Sequence, residues 1–254
     1  IEQAGATVAA IIAAGLTPAA AEIMDALAIT AAERATDCGY PDGAGAVLVV
    51  EVDGPAAEVE AEHAAVDDIC RANGAFEVRA AADAAERAAL WKGRKSAFAA
   101  VGRISPDYLV QDGVVPRTAL AAMLGEIEAL AAAAGIRVAN VFHAGDGNLH
   151  PLVLFDDAVP GALEAAEGVS NEILRRCIAH GGSITGEHGV GVEKAQHLPG
   201  MFTEDDLASM NMLRCAFDPD GIANPGKVFP TPRLCGEPRG LRAPAQLDPE
   251  VAVW

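Results

Sequence analysis

Cations, aromatic residues, paired cysteines and long apolar runs are all scarce in this sequence, and each shortage removes a class of function. The 254 residues carry 18 Lys and Arg against 36 Asp and Glu, a net charge of −18. No broad basic face is therefore available for nucleic acid or an anionic membrane surface. Aromatics make up 4% of the chain, so a core must rest on Val, Leu and Ile, with abundant Ala favouring helix but burying little area. The five cysteines (Cys38, Cys70, Cys177, Cys215, Cys235) are scattered and form no CxxC. That excludes a structural zinc knuckle or an iron–sulfur ligand set and fits structural thiols in a reducing cytoplasm. The longest uncharged run, Ala4–Ala21, is Ala-rich and broken by Gly15 and Pro18. A membrane helix needs about 20 strongly apolar residues, and a secretory signal needs a basic flank; this run has neither. No GxGxxG opens a helix after a strand, so no nest for a pyrophosphate is visible. The chain opens at Ile1 as if in the middle of a helix, which is expected of a fragment or a processed piece.

What is present is enough for a real core: 51% of the residues are hydrophobic, and chains of this size bury most of their apolar surface. The opening reads as the end of a helix stopped by Gly15. "AGAVLVVEVDG" (44–54) reads as a strand closed by Asp-Gly. A helix is expected over 55–73, with Pro55 near its start and Gly74 at its end. "AFEVRAA" (75–81) reads as a further strand, 83–100 as a helix and "DYLVQDGVV" (107–115) as a strand. Pro116 and Gly135 bracket another helix, followed by a strand over 136–145. Two more helices fit 160–180 and 203–217, the last opened by the capping-box-like "TEDD". Mixed hairpins and helices favour an α+β fold with an antiparallel sheet and helices on one face over a doubly wound parallel sheet. One domain is expected over 1–230, helical in its C-terminal part, with an irregular Pro-rich tail over 231–254.

"NVFHAGDGNLHPLVLFD" (140–156) sets two histidines on either side of an Asp-Gly pair. Asp-Gly between alternating apolar residues predicts a two-residue type I′ hairpin. Pairing would then run Gly145 with Asn148, Ala144 with Leu149 and His143 with His150. Two imidazoles opposed on one face, Cβ atoms about 4.5–5.5 Å apart, can share a metal ion at bonds of about 2.0–2.1 Å. A packed histidine pair without metal fits the same spacing. "GGSITGEHGVGVEK" (181–194) adds Glu187 and His188 among glycines that permit close approach. Two imidazoles and one carboxylate make a His₂Glu set with open positions, leaving His188 free as a base. A polar turn with Glu187 paired to a base such as Lys194 is the alternative. Read from these residues alone, a metal-dependent hydrolase is as available as an oxidoreductase, and a non-catalytic remnant that has kept the fold is a third reading. His63, His180 and His197 are lone residues and carry no assigned chemistry.

Three segments in this order, "FHAGDGNLHP" (142–151), "SITGEHGVGVEK" (183–194) and "FDPDGIANPGKVFP" (217–230), resemble the C-terminal domain of the FAD-linked oxidases. That family contains D-lactate and D-2-hydroxyglutarate dehydrogenases. "ERAALWKGRKSAFAAVGRISPDY" (86–108) extends the likeness and is most similar to the FAD-linked catalytic subunits that oxidise glycolate. The resemblance implies a ferredoxin-like α+β cap over a flavin. It implies a divalent metal held by His143, His150 and Glu187, with zinc the first expectation and iron or manganese suitable too. His188 is then the base, Arg94 the contact to the substrate carboxylate, and Asn224 a neighbour of the flavin ring. Without the resemblance Arg94 would be read as a surface helix arginine.

The chemistry so implied is oxidation of a small 2-hydroxy acid, glycolate or D-lactate, to the 2-oxo acid with FAD as acceptor. The flavin-binding domain is not in these residues, so FAD would be held mainly by an N-terminal domain elsewhere in a longer protein, and this chain alone would be inactive. The resemblance also implies partner subunits, one a second flavoprotein and one carrying iron–sulfur clusters. The expected location is cytoplasmic, peripheral to the inner membrane through those partners. Two departures bear on the substrate. Where the hydroxyglutarate enzymes have a Thr and a Lys as further polar contacts, this sequence has Phe98 and about Val110, which suits a substrate with no second carboxylate.

Overall fold

The computed structural model describes residues 1–229; the predicted tail over 231–254 lies outside the described residues. The chain forms two compact units, residues 1–188 and 189 onward. In the first, an antiparallel sheet is built from β1 (Ala20–Asp25), β2 (Ala46–Glu51), β3 (Asp107–Val110), β4 (Gly113–Val114), β5 (Arg137–His143), β6 (Asn148–Leu149) and β7 (Pro151–Phe155). β2 pairs with β1 and β1 with β5; β5 then pairs with both β6 and β7, which in turn pair with β4 and β3. Two long extended runs are thus each broken once, at Gln111–Asp112 and at His150.

The α+β class with an antiparallel sheet is what the structure has, but its helices cover both faces rather than one. α1 (Glu2–Ala13), α5 (Leu120–Ala134) and α6 (Ala162–Ala179) pack Val8, Met123, Ile127 and Ile173 against Ile23, Phe142, Leu149 and Val153. α2 (Ala26–Thr36) and α4 (Ala84–Val101) pack against Met24, Val141, Leu152 and Leu154 on the other face. The sequence hinted at this in β7, which is continuously apolar rather than alternating, as a strand buried on both faces must be; β1 and β5 are interrupted by Glu22 and Asn140. The α2–α4 layer is built from alanines, Ala28, Ala31, Ala32, Ala97 and Ala100, which lets the helices approach closely. Gly93 extends that approach, because a Cβ there would meet the Cys38 sulfur and the Tyr40 ring.

Two further expectations need correction. Residues 75–81 form no strand, although α3 (Ala56–Ala72) ends at Asn73 and Gly74 much as the capping signals indicate. Their β propensity finds no ladder, and tertiary pairing decides a strand more than propensity does. In addition β1 and α2 were missed, because "AAEIMDALAIT" carries no turn signal between them. The break is made by Asp25, whose side chain caps α2 at the Ala28 amide and also accepts from the Asn140 amide and side chain.

In the second unit α7 (Leu198–Met201) precedes α8 (Glu204–Phe217), which opens on a reciprocal Thr203–Asp206 capping box as "TEDD" predicts. Arg214 of α8 donates to the carbonyls of Ala223, Asn224 and Lys227, closing the loop behind it. Cys38, Cys70 and Cys177 form no disulfide, whereas Cys215 is disulfide-bonded, which the scattered spacing gave no sign of. Among the described residues no helix is long and apolar enough to cross a membrane.

Burial pushes the Asp25 carboxyl up to about 6, against the hydrogen bonds it accepts. A carboxyl whose pKa is raised on folding binds its proton more tightly in the folded state. Its contribution is full below the unfolded value near 3.8 and is lost as pH rises through about 6. Denaturant titrations between pH 4 and 7 should therefore show a stability decrease with pH in this window that Asp25→Asn abolishes. An unchanged slope in the variant would assign the dependence to other groups.

A histidine and carboxylate cluster at the end of the sheet

At one end of the α2–α4 face, each of four neighbouring extended runs exchanges an apolar side chain for a polar one. In β1 Met24 gives way to Glu22, in β5 Val141 to His143, along β7 and β6 Leu152 to His150 and Asn148, and along β3 Val110 to Asp112. Register sets these residues side by side: Glu22 opposite His143, and His143 opposite Asn148. The same register, carried across the breaks, sets His150 between Val141 and Asp112.

The predicted two-residue turn is not formed. His143 pairs with Asn148, not His150, and Ala144–Gly147 make a four-residue loop with bonds from the Asp146 and Gly147 amides to the His143 and Ala144 carbonyls. A type I′ turn needs positive φ at both central residues; Gly147 has it at 72°, but Asp146 does not. The slip is two residues, so side chains keep their face. The histidines become diagonal neighbours, a separation rings can still bridge. Their centroids lie 5.2 Å apart and their planes are perpendicular.

Both imidazoles are oriented by their Nδ1 atoms. His150 Nδ1 is 3.1 Å from the Gln111 carbonyl and His143 Nδ1 is 2.9 Å from Glu22 Oε1. A carbonyl and a carboxylate can only accept, so each Nδ1 carries a proton, and in the neutral ring Nε2 presents a lone pair. Those Nε2 atoms face Glu187 Oε1, at 3.0 Å from His150 and 3.8 Å from His143. The Nε2 of His150 is buried without a hydrogen-bond partner. A lone pair facing a carboxylate oxygen at that distance is repulsive unless a cation or proton lies between them. The donor atoms of His143, His150 and Glu187 all fall within 4.8 Å of one another, around the separation of about 3.4 Å that two ligands subtend on an ion bound at about 2.1 Å. The residues fit a divalent metal. Burial lowers the His150 pKa and keeps that ring neutral, as a ligand must be. The hydrogen bond to Glu22 raises that of His143.

His188 stacks on His150, with centroids 5.0 Å apart and planes within 16°. Its side chain is 46% exposed, and its Nε2 lies 3.6 Å from Glu187 Oε1. Gly186 is required one step earlier in that loop, where a Cβ would sit 2.6 Å from the Asn148 amide. Arg94 is no surface arginine. It is 5% exposed, with Nε 3.0 Å and Nη2 2.7 Å from Glu22 Oε2. Nη2 lies off the hydrogen-bonding direction and keeps an unused donor. Phe98, one turn later, sets its ring 6.0 Å from His150 as an apolar wall, and Val110 pairs with Leu152 in the apolar part of the sheet. Five of the predicted residues, Arg94, His143, His150, Glu187 and His188, are thus brought together. Asn224 lies in the second unit, exposed and at a left-handed φ of 46°.

Sequence reasoning missed Glu22 and Asp112. Glu22 is an acid within a largely apolar strand and Asp112 lies in the break between two strands, but their partners are 72 to 121 positions away.

The model for FAD linked oxidases, C-terminal domain, matches residues 1–228. Glycolate oxidase subunit GlcD of Escherichia coli (strain K12) is 48% identical over 237 residues, 93% of this chain and 48% of that protein. The protein of the same name from Bacillus subtilis (strain 168) is 39% identical over 90% of this chain and 49% of its own length. A mitochondrial D-lactate dehydrogenase [cytochrome] of Arabidopsis thaliana is 32% identical over 58% of the chain. Among solved structures, p-cresol methylhydroxylase with substrate bound superposes with a TM-score of 0.62 over 88% of this chain and 50% of that one, at 12% identity, a likeness of fold alone. The chain spans about half the length of the two glycolate oxidase subunits it matches.

Removing one partner of a buried ion pair strands the other charge, at a cost of about 3–5 kcal/mol. Glu22→Gln should therefore destabilise the protein by an amount of that order in urea titrations, and Glu22→Gln with Arg94→Met should recover much of it. A single variant within about 0.5 kcal/mol of wild type would mean that the pair is not closed in solution.

Proposed function

This chain belongs to the C-terminal domain family of the FAD linked oxidases, and we propose that it is the substrate- and metal-binding half of a FAD-dependent 2-hydroxy-acid dehydrogenase. The substrate proposed is glycolate, with D-lactate second, following the names of the relatives this chain is similar to. The observation that carries the reading is the pair of Nε2 lone pairs converging on Glu187, with Arg94 and His188 beside them. The family membership favours an oxidoreductase over a hydrolase built on the same three ligands.

His143, His150 and Glu187 would hold the divalent ion, with zinc, iron or manganese all suited to two imidazoles and a carboxylate. Bound there, such an ion would lower the pKa of a substrate hydroxyl, and the FAD of the other half would accept the hydride. The remaining work falls to this chain's side chains. Arg94 binds the substrate carboxylate with the donor that Glu22 leaves unused, and Glu22 holds the guanidinium in plane for it. His188, exposed and stacked on His150, accepts the hydroxyl proton at a ring nitrogen. The ring of Phe98 closes the site without offering a polar group, which selects against a second carboxylate on the substrate. Asn224 is assigned to the flavin edge. Partner subunits, one a second flavoprotein and one with iron–sulfur clusters, and a cytoplasmic location peripheral to the inner membrane complete the proposal.

Elemental analysis of the full-length protein, flavin half included, should find about one divalent ion per chain, lost in the His143→Ala, His150→Ala double variant. Anaerobic stopped-flow should show glycolate bleaching the flavin band. His188→Ala should slow that step by about 10²–10⁴-fold, while Arg94→Met should act mainly on KM. A flavin that glycolate and D-lactate both leave oxidised would sink the reading.

A further inference from the structure

Asp112 is fully buried, follows Gln111 in the break between β3 and β4, and has no part in the chemistry above. Its side chain faces the loop that follows Ser183. Oδ1 accepts the amides of Gly186 and Glu187, both at 3.1 Å, and Oδ2 accepts the amide of His188 at 3.0 Å and the Thr185 hydroxyl at 2.6 Å. The Asp112 carbonyl adds a bond from the Gly186 amide at 3.0 Å. Three successive amides converging on one anion form the nest by which proteins bind free phosphates and clusters. Here the anion is a side chain of the neighbouring strand.

We propose that Asp112 is the positioning residue for Glu187 and His188, an inference that rests on the metal-and-base reading above. Glu187 and His188 belong to neither helix nor strand, and both side chains are exposed, so no regular element and no core packing sets their place. The carboxylate of Asp112 does so through the backbone. It stands opposite His150 across the sheet, so the ligand from the hairpin and the ligand from the loop are referred to the same strand. Asp112, His150 and His188 also lie close enough to form a ligand set of their own. Four donors of the loop, however, already engage both oxygens of that carboxylate.

The test uses the full-length protein, with Asp112→Asn as the near-isosteric variant and Thr185→Val as a milder one that removes a single donor. Three quantities are read: amide exchange at Gly186, Glu187 and His188, Zn²⁺ affinity by chelator competition, and melting temperature. Asp112→Asn should speed exchange at the three amides and weaken Zn²⁺ binding by about 10–100-fold, the usual effect of losing a residue that orients metal ligands. Thr185→Val should shift both in the same direction by less, and it reports if Asp112→Asn fails to fold. A variant that melts earlier but keeps wild-type Zn²⁺ affinity would make Asp112 merely structural and overturn the proposal, as would unchanged exchange. A wild-type protein that takes up no Zn²⁺, Mn²⁺ or Fe²⁺ would sink the metal reading by itself. The positioning role then stands or falls on the loop exchange alone.

Discussion

The carboxylate of Glu22, 7% exposed, is the point from which the arrangement of the first unit can be followed outward. One oxygen holds His143, the other Arg94, so a single side chain joins the middle of the sheet to the helix above it. Burying Glu22 and Arg94 together, with the half-buried His143 beside them, costs desolvation, and ion pairs of this kind seldom add net stability over apolar packing. Their value lies in geometry. A guanidinium and an imidazole tied to one carboxylate have few ways to turn, and removing any of the three leaves an uncompensated neighbour.

That constraint operates at one end of the α2–α4 face. There four neighbouring extended runs carry acids, amides or histidines in place of Met, Val and Leu, and α4 reaches over them with Arg94 and Phe98. Glu22 and Asp112 perform parallel tasks. The first orients side chains directly; the second fixes an irregular loop through its amides. Buried groups do the positioning, while Glu187 and His188, the groups that would meet ion and substrate, remain exposed.

Legibility followed the range of the interactions. The helices with caps and breakers nearby, such as 55–73 and 203–217, were readable because their signals lie within a few residues. His143 and His150 were readable as a pair because a hairpin is local, although the Asp-Gly dipeptide suggested a turn two residues shorter than the one formed. The face survived that error, since a slip of two conserves it. Arg94 was singled out only by resemblance; nothing in a helical Arg between Gly93 and Lys95 says that Glu22 waits for it. Residues 75–81 failed in the opposite sense, with strand-like composition but no partner.

By itself, then, the sequence determined the class of the fold, the scarcity of cationic surface, the identity of the candidate ligands and, by its motifs, the family. Those properties reside in composition and in short-range spacing. Tertiary structure decided that helices cover both faces of the sheet, that the histidines meet on a diagonal, and that Glu22 and Asp112 organise what the histidines do. Each of those depends on which strands become neighbours, and strand order is set by packing between segments far apart in the chain, where no local pattern records the partner.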